Sequence, residues 1–325
     1  MTKQSISRKH HKRNKKRTAG KIIFSIFMVL FTILGAIGAY IGWQVYSDLR
    51  STTDDMYEEV NQEAHASRQE RPVSVDGGED PISVLIMGVD TDSADSISGR
   101  TDTLMLMTVN PNTDKSTILS IPRDTYTEIV GRGVKDKINH AHAFGGASMA
   151  VNTVQNLLDI PVDYYVSVNM SSMMQIIDAV GGITVTPPLS FSQDGYTFTQ
   201  GQATQMDGAK ALSYSRMRKN DPEGDYGRQL RQRQIIEGTI SSVASVNSIT
   251  NYRSLLGSMS ESMRTNMSFD DMVDLFSNYR SAAGDVEQLQ LRGSSMYINN
   301  IYYESIPDEE INRISTRLKS ELELN

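Results

Sequence analysis

The longest apolar segment of the chain is residues 22–43, "IIFSIFMVLFTILGAIGAYIGW", which contain no charged side chain. A helix rises 1.5 Å per residue, so this segment would span about 33 Å, enough to cross a hydrocarbon layer about 30 Å thick. A buried core helix is one alternative to a membrane span. A cleaved signal peptide is another, but the run exceeds the roughly 7–15 apolar residues of such a peptide. The pattern therefore predicts one N-terminal transmembrane helix, an uncleaved signal anchor.

After this segment, residues 44–80 are mostly polar and end in the turn-forming sequence Gly-Gly-Glu-Asp-Pro. This composition predicts an extracellular stalk or linker, partly helical at its start, ahead of one domain at residues 81–325. Three apolar runs at the start of that domain predict strands, at residues 82–87, 101–110 and 116–122. Because only a short turn separates the second run from the third, these strands are predicted to be antiparallel neighbours.

Strands and helices alternate along the rest of the domain. The predicted elements are a helix near Ser148–Leu158, a strand at Asp163–Val168, a helix near Met170–Val180, a strand at 183–187 and a late strand near Val286–Leu291. Two or three further helices are expected in residues 237–325. The alternation predicts the α/β fold class, as an α-β-α sandwich in which helices flank a mixed central sheet.

Charge is distributed unevenly along the chain. Residues 1–21 carry nine of the 32 basic residues and no acid, although the whole chain has a net charge of −7. Since Lys and Arg beside a membrane helix stay in the cytoplasm, we expect a cytoplasmic tail at 1–21 and an extracellular domain held at the cell membrane. The chain has no Cys, so this domain must be stabilised by its core rather than by disulfides.

Charged residues stand where the first three predicted strands begin or end. If the first strand is also antiparallel to the second, one edge of the sheet would bring together five of them: Asp90, Arg100, Asp102, Arg123 and Asp124. Asp90 and Asp102 are candidate ligands for Mg²⁺, which proteins often hold by one or two carboxylates, waters and substrate phosphates. Each acid alone could instead begin a turn or cap a strand, and Arg123 could form a structural salt bridge.

Residues 214–234, "YSRMRKNDPEGDYGRQLRQRQ", form a basic cluster in an acidic chain. Arg216 and Arg218 lie where a predicted helix ends, so they can face the same anion although they are two positions apart. Arg228 and Gln232 are four apart in a predicted helix and share a face. Arginine suits bidentate contacts with phosphate. Asp225, between the two pairs, could be a helix cap, an arginine partner or a base.

The remaining basic residues of this cluster, Lys219, Arg231 and Arg233, are predicted to be solvent-exposed. The domain has no Walker phosphate loop, no Gly-x-Ser-x-Gly, no His-Glu-x-x-His and no cysteine nucleophile. Its two histidines, His140 and His142, are expected to be structural. Since none of these nucleophile motifs is present, the chemistry that these residues favour is phosphoryl transfer assisted by a metal ion and arginines.

Several motifs occur in a fixed order behind the predicted anchor: "GVDTD", "GRTDTLMLMTVNP", "SIPRDT", "KINHAHAFGG", "VGGITV" and "DGAKALSYSRMRKNDPEGDYGRQLRQRQII". In this order they resemble the LytR-CpsA-Psr family, from about Pro81 to Ile236. The resemblance implies a Gram-positive cell-wall enzyme that takes an anionic glycopolymer, teichoic acid or capsular polysaccharide, from a polyprenyl-pyrophosphate carrier. The enzyme would attach that polymer to peptidoglycan through a phosphodiester, typically at the muramic acid 6-hydroxyl.

The resemblance also assigns roles by motif position. Asp90 and Asp102 would bind Mg²⁺, with Mn²⁺ as the alternative ion. The pyrophosphate contacts would be Arg100, Arg123, Arg216, Arg218, Arg228 and Gln232. Asp225 would be the base, with Arg123 and Arg218 also catalytic. The family further implies an apolar tunnel between sheet and helices for the polyprenyl tail, which flexible methionines would suit.

Two other functions are compatible with the same residues. One is a hydrolase of lipid-linked pyrophosphates, with water as the acceptor. The other is a membrane-bound regulator of wall genes whose basic tail binds nucleic acid. The tail has no helix-turn-helix pattern and no room for one before the predicted anchor, so no nucleic-acid partner is expected.

Overall fold

The computed structural model describes residues 40, 42–69, 73–91, 97–218, 221–245 and 263–324. The predicted cytoplasmic tail and all of the predicted anchor except residues 40, 42 and 43 therefore lie outside the described residues. Within the described part, no helix is both long and apolar enough to span a bilayer. The chain divides into two compact units, Met1–Ser51 and Thr52–Asn325. In the first unit, the described residues 42–51 are helical.

The second unit contains the strands and the remaining helices. Its strands are β1 (Ile82–Asp90), β2 (Arg100–Asn110), β3 (Lys115–Ser120), β4 (Tyr126–Ile129), β5 (Val134–Lys137), β6 (Tyr164–Asn169), β7 (Ile183–Val185), β8 (Phe191–Gln193), β9 (Tyr196–Phe198), β10 (Thr204–Met206), β11 (Met263–Thr265), β12 (Val286–Gln290), β13 (Ser294–Ile298) and β14 (Ile301–Ser305). Its helices include α1 (Ala66–Gln69), α2 (His140–Leu158), α3 (Met170–Ala179), α4 (Gly208–Arg216), α5 (Asp225–Ser245), α6 (Phe269–Asn278) and α7 (Asp308–Glu321), with a 3-10 helix at Arg280–Gly284.

A mixed sheet of six strands, in the order β11-β6-β1-β2-β3-β12, forms the centre of this unit. Strand β2 is antiparallel to β3, as the short turn between them predicts. It is also antiparallel to β1, the pairing on which the predicted shared edge depends. Strand β6 runs parallel to β1, and β12 runs parallel to β3. The late strand that the sequence predicts near Val286–Leu291 is β12. The predicted α/β class with a mixed central sheet is thus confirmed.

Both faces of the sheet are apolar and covered by helices, which explains why β1 to β3 are almost continuously hydrophobic. On one face, Leu85, Leu106 and Leu119 belong to a buried cluster with residues of α2 and α7, among them Val154 and Leu318. The opposite face supplies a second cluster, which includes Val84, Met105 and Ile118 from the strands and Ile236 from α5. Helices therefore flank the sheet on both sides, as predicted.

Helix α2 begins earlier than the sequence pattern predicts. The expected start near Ser148 is replaced by a start at His140, and the helix is kinked at Gly145 and Gly146, where Gly146 has φ 64°. Two adjacent glycines disfavour a helix, so local propensity placed the start after them. Packing of Ala141, a residue of the main buried cluster, extends the helix across the kink.

The compact unit begins at Thr52, so the described residues 52–69 and 73–80 belong to it. Arg68 donates from Nε and Nη2 to the two carboxylate oxygens of Asp163, both at 2.8 Å. Gln62 donates to Gln155 Oε1 at 2.8 Å, and Met56 and Val75 are buried. Part of the polar composition that predicts a stalk thus forms hydrogen bonds to the domain, whereas other polar residues of this segment, such as Glu59 and Glu63, are exposed.

Removing Arg68 should destabilise the domain, because Asp163, whose side chain is 4% exposed, would stay buried and charged without its partner. We expect Arg68→Ala to lower the free energy of unfolding by about 3 kcal/mol, measured by urea denaturation of the full-length chain in detergent. Arg313→Ala is the matched control, since Arg313 pairs with Glu310 at the surface with its side chain 57% exposed, and exposed pairs contribute less than about 1 kcal/mol. Equal effects of the two substitutions would contradict this assignment.

Candidate active site

A β-bulge shapes the edge of the sheet where β1 ends and β2 begins. Gly88 pairs with Thr103 and Val89 pairs with Thr101, so Asp102 has no partner across the ladder. Bulges of this kind commonly re-aim a side chain next to a functional site. Asp90 pairs with Arg100, and β3 ends at the same edge. The structure therefore brings the predicted edge residues of β1, β2 and β3 to one place.

Arg123 links the end of β3 to this bulge. Its Nη1 lies 2.5 Å from Asp102 Oδ1, and its Nε lies 3.6 Å from Asp124 Oδ2. Asp124 in turn pairs with Lys137 at 2.7 Å. Burial works against the charged form of Arg123, but Asp102 and then Asp124 and Asp225 outweigh it and raise the pKa of the guanidinium. Arg123 therefore stays a cation at the edge of the sheet.

The basic stretch supplies the other side of the site. Helix α4 ends at Arg216, and the backbone at Met217 is extended, with φ −61° and ψ 130°. Arg216 and Arg218 thus lie at the end of a helix, as predicted, and both are exposed. Arg218 is close enough for its charge to lower the pKa of Arg228. Both residues of the loop tip at 219–220, Lys219 included, lie outside the described residues.

Helix α5 begins at Asp225 and points Arg228 at the bulge. Arg228 Nη1 is 4.0 Å from Asp102 Oδ2, and Arg228 Nη2 is 2.9 Å from Asp225 Oδ1. Gln229 donates to the other oxygen of Asp225 at 3.1 Å. Asp102 therefore lies between two guanidinium groups, Arg123 from the sheet and Arg228 from the helix.

Several buried polar atoms at this site have no hydrogen-bond partner among the described residues. They are Arg123 Nε, Arg228 Nε and Nη2, Asp225 Oδ1 and Gln232 Oε1. The 2.9 Å approach of Arg228 to Asp225 is thus an ion pair without hydrogen-bond alignment. A buried polar group left unpaired costs about 1–3 kcal/mol, so each of these atoms needs a partner, which an ion, a water or a ligand can supply. Because most of the unpaired atoms are guanidinium nitrogens, the ligand that they suit is an anion.

Electrostatics favour the same kind of ligand. Burial is the main cause that lowers the pKa of Arg228, and the neighbouring charges of Arg123 and Arg218 lower it further, while Asp225 and Asp102 oppose the shift. A bound anion would relieve this mutual repulsion of cations. The site is therefore arranged to hold negative charge.

Arg231 and Arg233 are buried, so the prediction that they are solvent-exposed is wrong. Arg231 is fully buried and donates to Asp221 Oδ2 and to the Met217 carbonyl oxygen, both at 2.5 Å. It fastens both ends of the loop that carries Arg218. Helical periodicity alone assigned one buried face to α5, but this helix contacts β3, β7, β12 and α4.

Arg233 anchors the same helix to the sheet. It donates to Ser120 Oγ at 2.7 Å and to Gln288 Oε1 at 3.2 Å, which joins α5 to β3 and β12. Burial, with a smaller effect of Arg292, lowers the pKa of Arg233 to about 10, so it is protonated at neutral pH. Arg231 and Arg233 hold the scaffold, and Arg228 is left to face the site.

An apolar cavity adjoins the arginines, between the sheet and helices α3, α4 and α5. The free space in and above it measures about 550 Å³, part of which is open solvent. Its lining includes Ile86, Val168, Met170, Met173, Met174, Ile177, Ala211, Leu212, Ile235 and Ile236. Gln232 also lines it, one helical turn beyond Arg228. A polar anion site and an apolar cavity therefore meet at Gln232.

The donors for a metal ion at this site are few. Among the described residues, no three or more His, Asp or Glu side chains are grouped as a metal site. The edge of the sheet offers the carboxylates of Asp90 and Asp102, and Asp102 already contacts two guanidinium groups. Two carboxylates completed by waters and substrate phosphates are a donor set that Mg²⁺ accepts. The residues present thus fit Mg²⁺ bound together with a phosphorylated ligand.

His140 and His142 both make structural contacts. His142 is buried, and its Nδ1 lies 3.0 Å from the carbonyl oxygen of Gly99, next to Arg100. Burial lowers the pKa of His142, which keeps the ring neutral. His140 pairs with Asp136 at 2.8 Å. The sequence analysis did not identify Asp221, which pairs with Arg231, or Gly227, which lies against Asp221. A glycine directly before Arg228 was the available signal of such a close approach.

A model of the LytR-CpsA-Psr family matches residues 44–320. This chain belongs to the LytR-CpsA-Psr family. It is 47% identical over 305 residues to the polyisoprenyl-teichoic acid–peptidoglycan teichoic acid transferase TagU of Halalkalibacterium halodurans, covering 94% of this chain and 99% of that protein. It is also similar to a transcriptional regulator from Enterococcus faecalis, at 43% identity and a TM-score of 0.69, over 78% and 91% of the two chains. A structure of TagT bound to LIIa-WTA matches at 30% identity and a TM-score of 0.68, over 82% and 100%.

Gly227 is required by the Arg231–Asp221 pair. A Cβ at this position would lie 2.0 Å from Asp221 Oδ2, so Gly227→Ala should push the carboxylate away from Arg231. Although alanine normally favours a helix over glycine by about 1 kcal/mol, we expect this substitution to destabilise the domain by about 1–3 kcal/mol, measured by urea denaturation.

Gly284→Ala is the control for Gly227→Ala, because no atom lies within 4 Å of a Cβ built at Gly284. That substitution should leave the midpoint of unfolding nearly unchanged. A Gly227→Ala protein as stable as the parent chain would contradict the proposed packing of Asp221.

Proposed function

We propose that this chain is a transferase that moves a teichoic-acid-type anionic glycopolymer from a polyprenyl-pyrophosphate carrier to peptidoglycan. The observation that carries the proposal is the group of buried, unpaired polar atoms on Arg123, Arg228 and Gln232 beside an apolar cavity. A polyprenyl pyrophosphate has the same two parts, a polyanionic head and an apolar tail. The transferase names of the family relatives support the reaction class.

The pyrophosphate would lie between the sheet and helix α5. Arg123 and Arg228 would contact it from the two sides, with Arg218 and Arg216 from the end of α4 and Arg100 from β2. Gln232, whose Oε1 has no partner among the described residues, would lie where the head meets the tail. Several guanidinium groups around one pyrophosphate offset its charge and hold it rigidly in line for attack.

The reaction that we propose is an in-line displacement at the phosphorus that carries the glycopolymer. The 6-hydroxyl oxygen of a muramic acid attacks this phosphorus, and the bridging phosphorus–oxygen bond to the other phosphate breaks. Polyprenyl phosphate leaves with the bridging oxygen, and the glycopolymer is joined to peptidoglycan by a phosphodiester. Arg123 and Arg218 would stabilise the negative charge that develops on the leaving phosphate.

Asp225 is the group that we propose as the base. Its side chain is 34% exposed, so an acceptor from solvent can reach the carboxylate, whose Oδ1 is itself buried without a hydrogen-bond partner among the described residues. Arg228 and Gln229 contact its carboxylate, which keeps it fixed and oriented. Asp225 would take the proton of the attacking hydroxyl.

Asp90 and Asp102 are the side chains that we propose for Mg²⁺, or Mn²⁺, together with the phosphates. A bound divalent cation would supply further neutralisation of phosphate charge. The predicted anchor at residues 22–43 would keep the domain at the cell membrane, beside a donor whose tail lies in the bilayer, with the cytoplasmic tail at 1–21.

The hydrolase and the regulator remain as alternatives. A hydrolase would use the same site with water in place of the sugar hydroxyl. The regulator would depend on residues 1–21, which lie outside the described residues, and would not require the buried anion site. The site geometry therefore supports an enzyme over a regulator, and the acceptor separates the two enzymes.

Transfer should occur when the full-length chain in detergent is given lipid-linked teichoic acid, peptidoglycan oligomers and Mg²⁺. We expect polymer linked to peptidoglycan and release of polyprenyl phosphate, both followed by mass spectrometry. Chelation of the divalent cation should reduce the rate if Asp90 and Asp102 hold it. Release of free phosphorylated polymer alone, with acceptor in excess, would establish the hydrolase instead.

Asp90→Ala and Arg218→Ala should each abolish measurable transfer, a loss of about 10²-fold or more. Both residues are exposed, so the midpoint of unfolding should stay unchanged. Arg313→Ala, at an exposed position on α7, is the control and should retain full activity. Normal activity in both site variants would remove these residues from the mechanism.

A further inference from the structure

Glu304 is a buried acid that the proposed reaction does not use. It lies on β14 and is 6% exposed. Its Oε1 accepts a hydrogen bond from Tyr226 Oη at 2.5 Å, and its Oε2 accepts one from Tyr302 Oη at 2.5 Å. Among the described residues, no ion pair to Glu304 is found. A buried carboxylate held only by hydroxyl groups is costly, so its position calls for a reason.

The backbone of Glu304 is attached to the edge of the sheet. Its N–H donates to the carbonyl oxygen of Asp124 at 2.8 Å, and Thr125 forms a parallel β-bridge with Glu304. Asp124 directly follows Arg123, which faces Asp102. The main chain of Glu304 therefore fixes the half of the anion site that the sheet supplies.

The side chain of Glu304 is attached to the other half. Tyr226 lies in the first turn of α5, directly after Asp225 and two positions before Arg228. Its hydroxyl oxygen also accepts from the N–H of Gly293 at 2.9 Å, and the guanidinium of Arg292 lies 5.0 Å from its ring centroid. Burial and then the hydrogen bond to Glu304 raise the pKa of Tyr226, so the phenol remains a donor.

We propose that Glu304 is a positioning residue that sets the distance between Arg123 and Arg228. Its backbone holds the sheet side and its carboxylate holds the N-terminus of α5, so Glu304 links the two sides of the gap that a pyrophosphate must fill, in addition to the contacts of Asp102 and Arg233. This inference rests on the proposed function, because the gap is relevant only if a two-phosphate anion spans it. Glu304 itself is not proposed to contact substrate.

Glu304→Gln tests this inference, because the amide nitrogen cannot accept a hydrogen bond and one phenol loses its acceptor. The probes are inorganic pyrophosphate and orthophosphate, titrated calorimetrically into the full-length chain in detergent with Mg²⁺. Pyrophosphate spans both halves of the site, whereas orthophosphate fits one. We expect the affinity for pyrophosphate to fall about tenfold or more, since small displacements of oriented groups have large effects, and the affinity for orthophosphate to change less than about twofold.

Tyr226→Phe breaks the same link from the other side and should give the same selective loss. Because the two residues act through one contact, the double variant should be no weaker than either single one. In transfer assays, kcat should fall in the same proportion in all three. Tyr226→Phe also provides the test if Glu304→Gln does not fold.

Glu321→Gln is the matched control at the far end of the sheet. Its carboxylate also accepts from a hydroxyl, Thr108 Oγ1 at 2.7 Å, and pairs with Arg317 at 2.7 Å. It should leave the ratio of the two affinities unchanged.

Two results would overturn the positioning role while leaving the proposed function intact. One is an unchanged affinity ratio in Glu304→Gln and Tyr226→Phe, and the other is an equal loss for both anions, as from general loosening. A parent chain that binds neither anion would overturn the proposed function, and this inference with it.

Discussion

The site depends on one carboxylate shared by two cations. Asp102 lies 2.5 Å from Arg123 Nη1 and 4.0 Å from Arg228 Nη1, and it can do so because the bulge between β1 and β2 leaves it without a cross-strand partner. Without this acid, two guanidinium groups would face each other in a partly buried space, which repulsion and desolvation disfavour. Asp102 therefore joins the sheet to α5 and keeps the arginines close enough to act on one ligand.

This arrangement leaves some buried polar atoms of the site without a hydrogen-bond partner among the described residues. One carboxylate cannot serve every nitrogen of two guanidinium groups, so donors on Arg123 and Arg228 stay buried without partners among the described residues. Their desolvation costs stability, and the pKa of Arg228 falls as a result. Such groups need a partner, which an ion, a water or a ligand can supply. The apolar cavity beside Gln232 suits the uncharged part of the same ligand.

The arginines of residues 214–234 thus have two different tasks. Arg228 faces the anion site, whereas Arg231 and Arg233 fasten helix α5 to a loop and to two strands. The residue type is the same, and only the neighbours differ. Arg231 has an acid ten positions earlier in the chain, with Gly227 leaving room for it. Arg233 bonds to Ser120, which is 113 positions away. Periodicity along the helix could not distinguish these cases.

The sequence by itself determined the fold class, the antiparallel pairing of β2 with β3 and the family, because these follow from apolar runs, one short turn and ordered motifs. Those local features also placed Asp90, Arg100, Asp102 and Arg123 at one edge of the sheet. Only the tertiary structure decided which arginines are buried, that residues 52–69 and 73–80 pack on the domain, and that Glu304 meets Tyr226 across 78 positions. These are contacts between segments far apart in the chain, and a local pattern of polarity does not identify such partners.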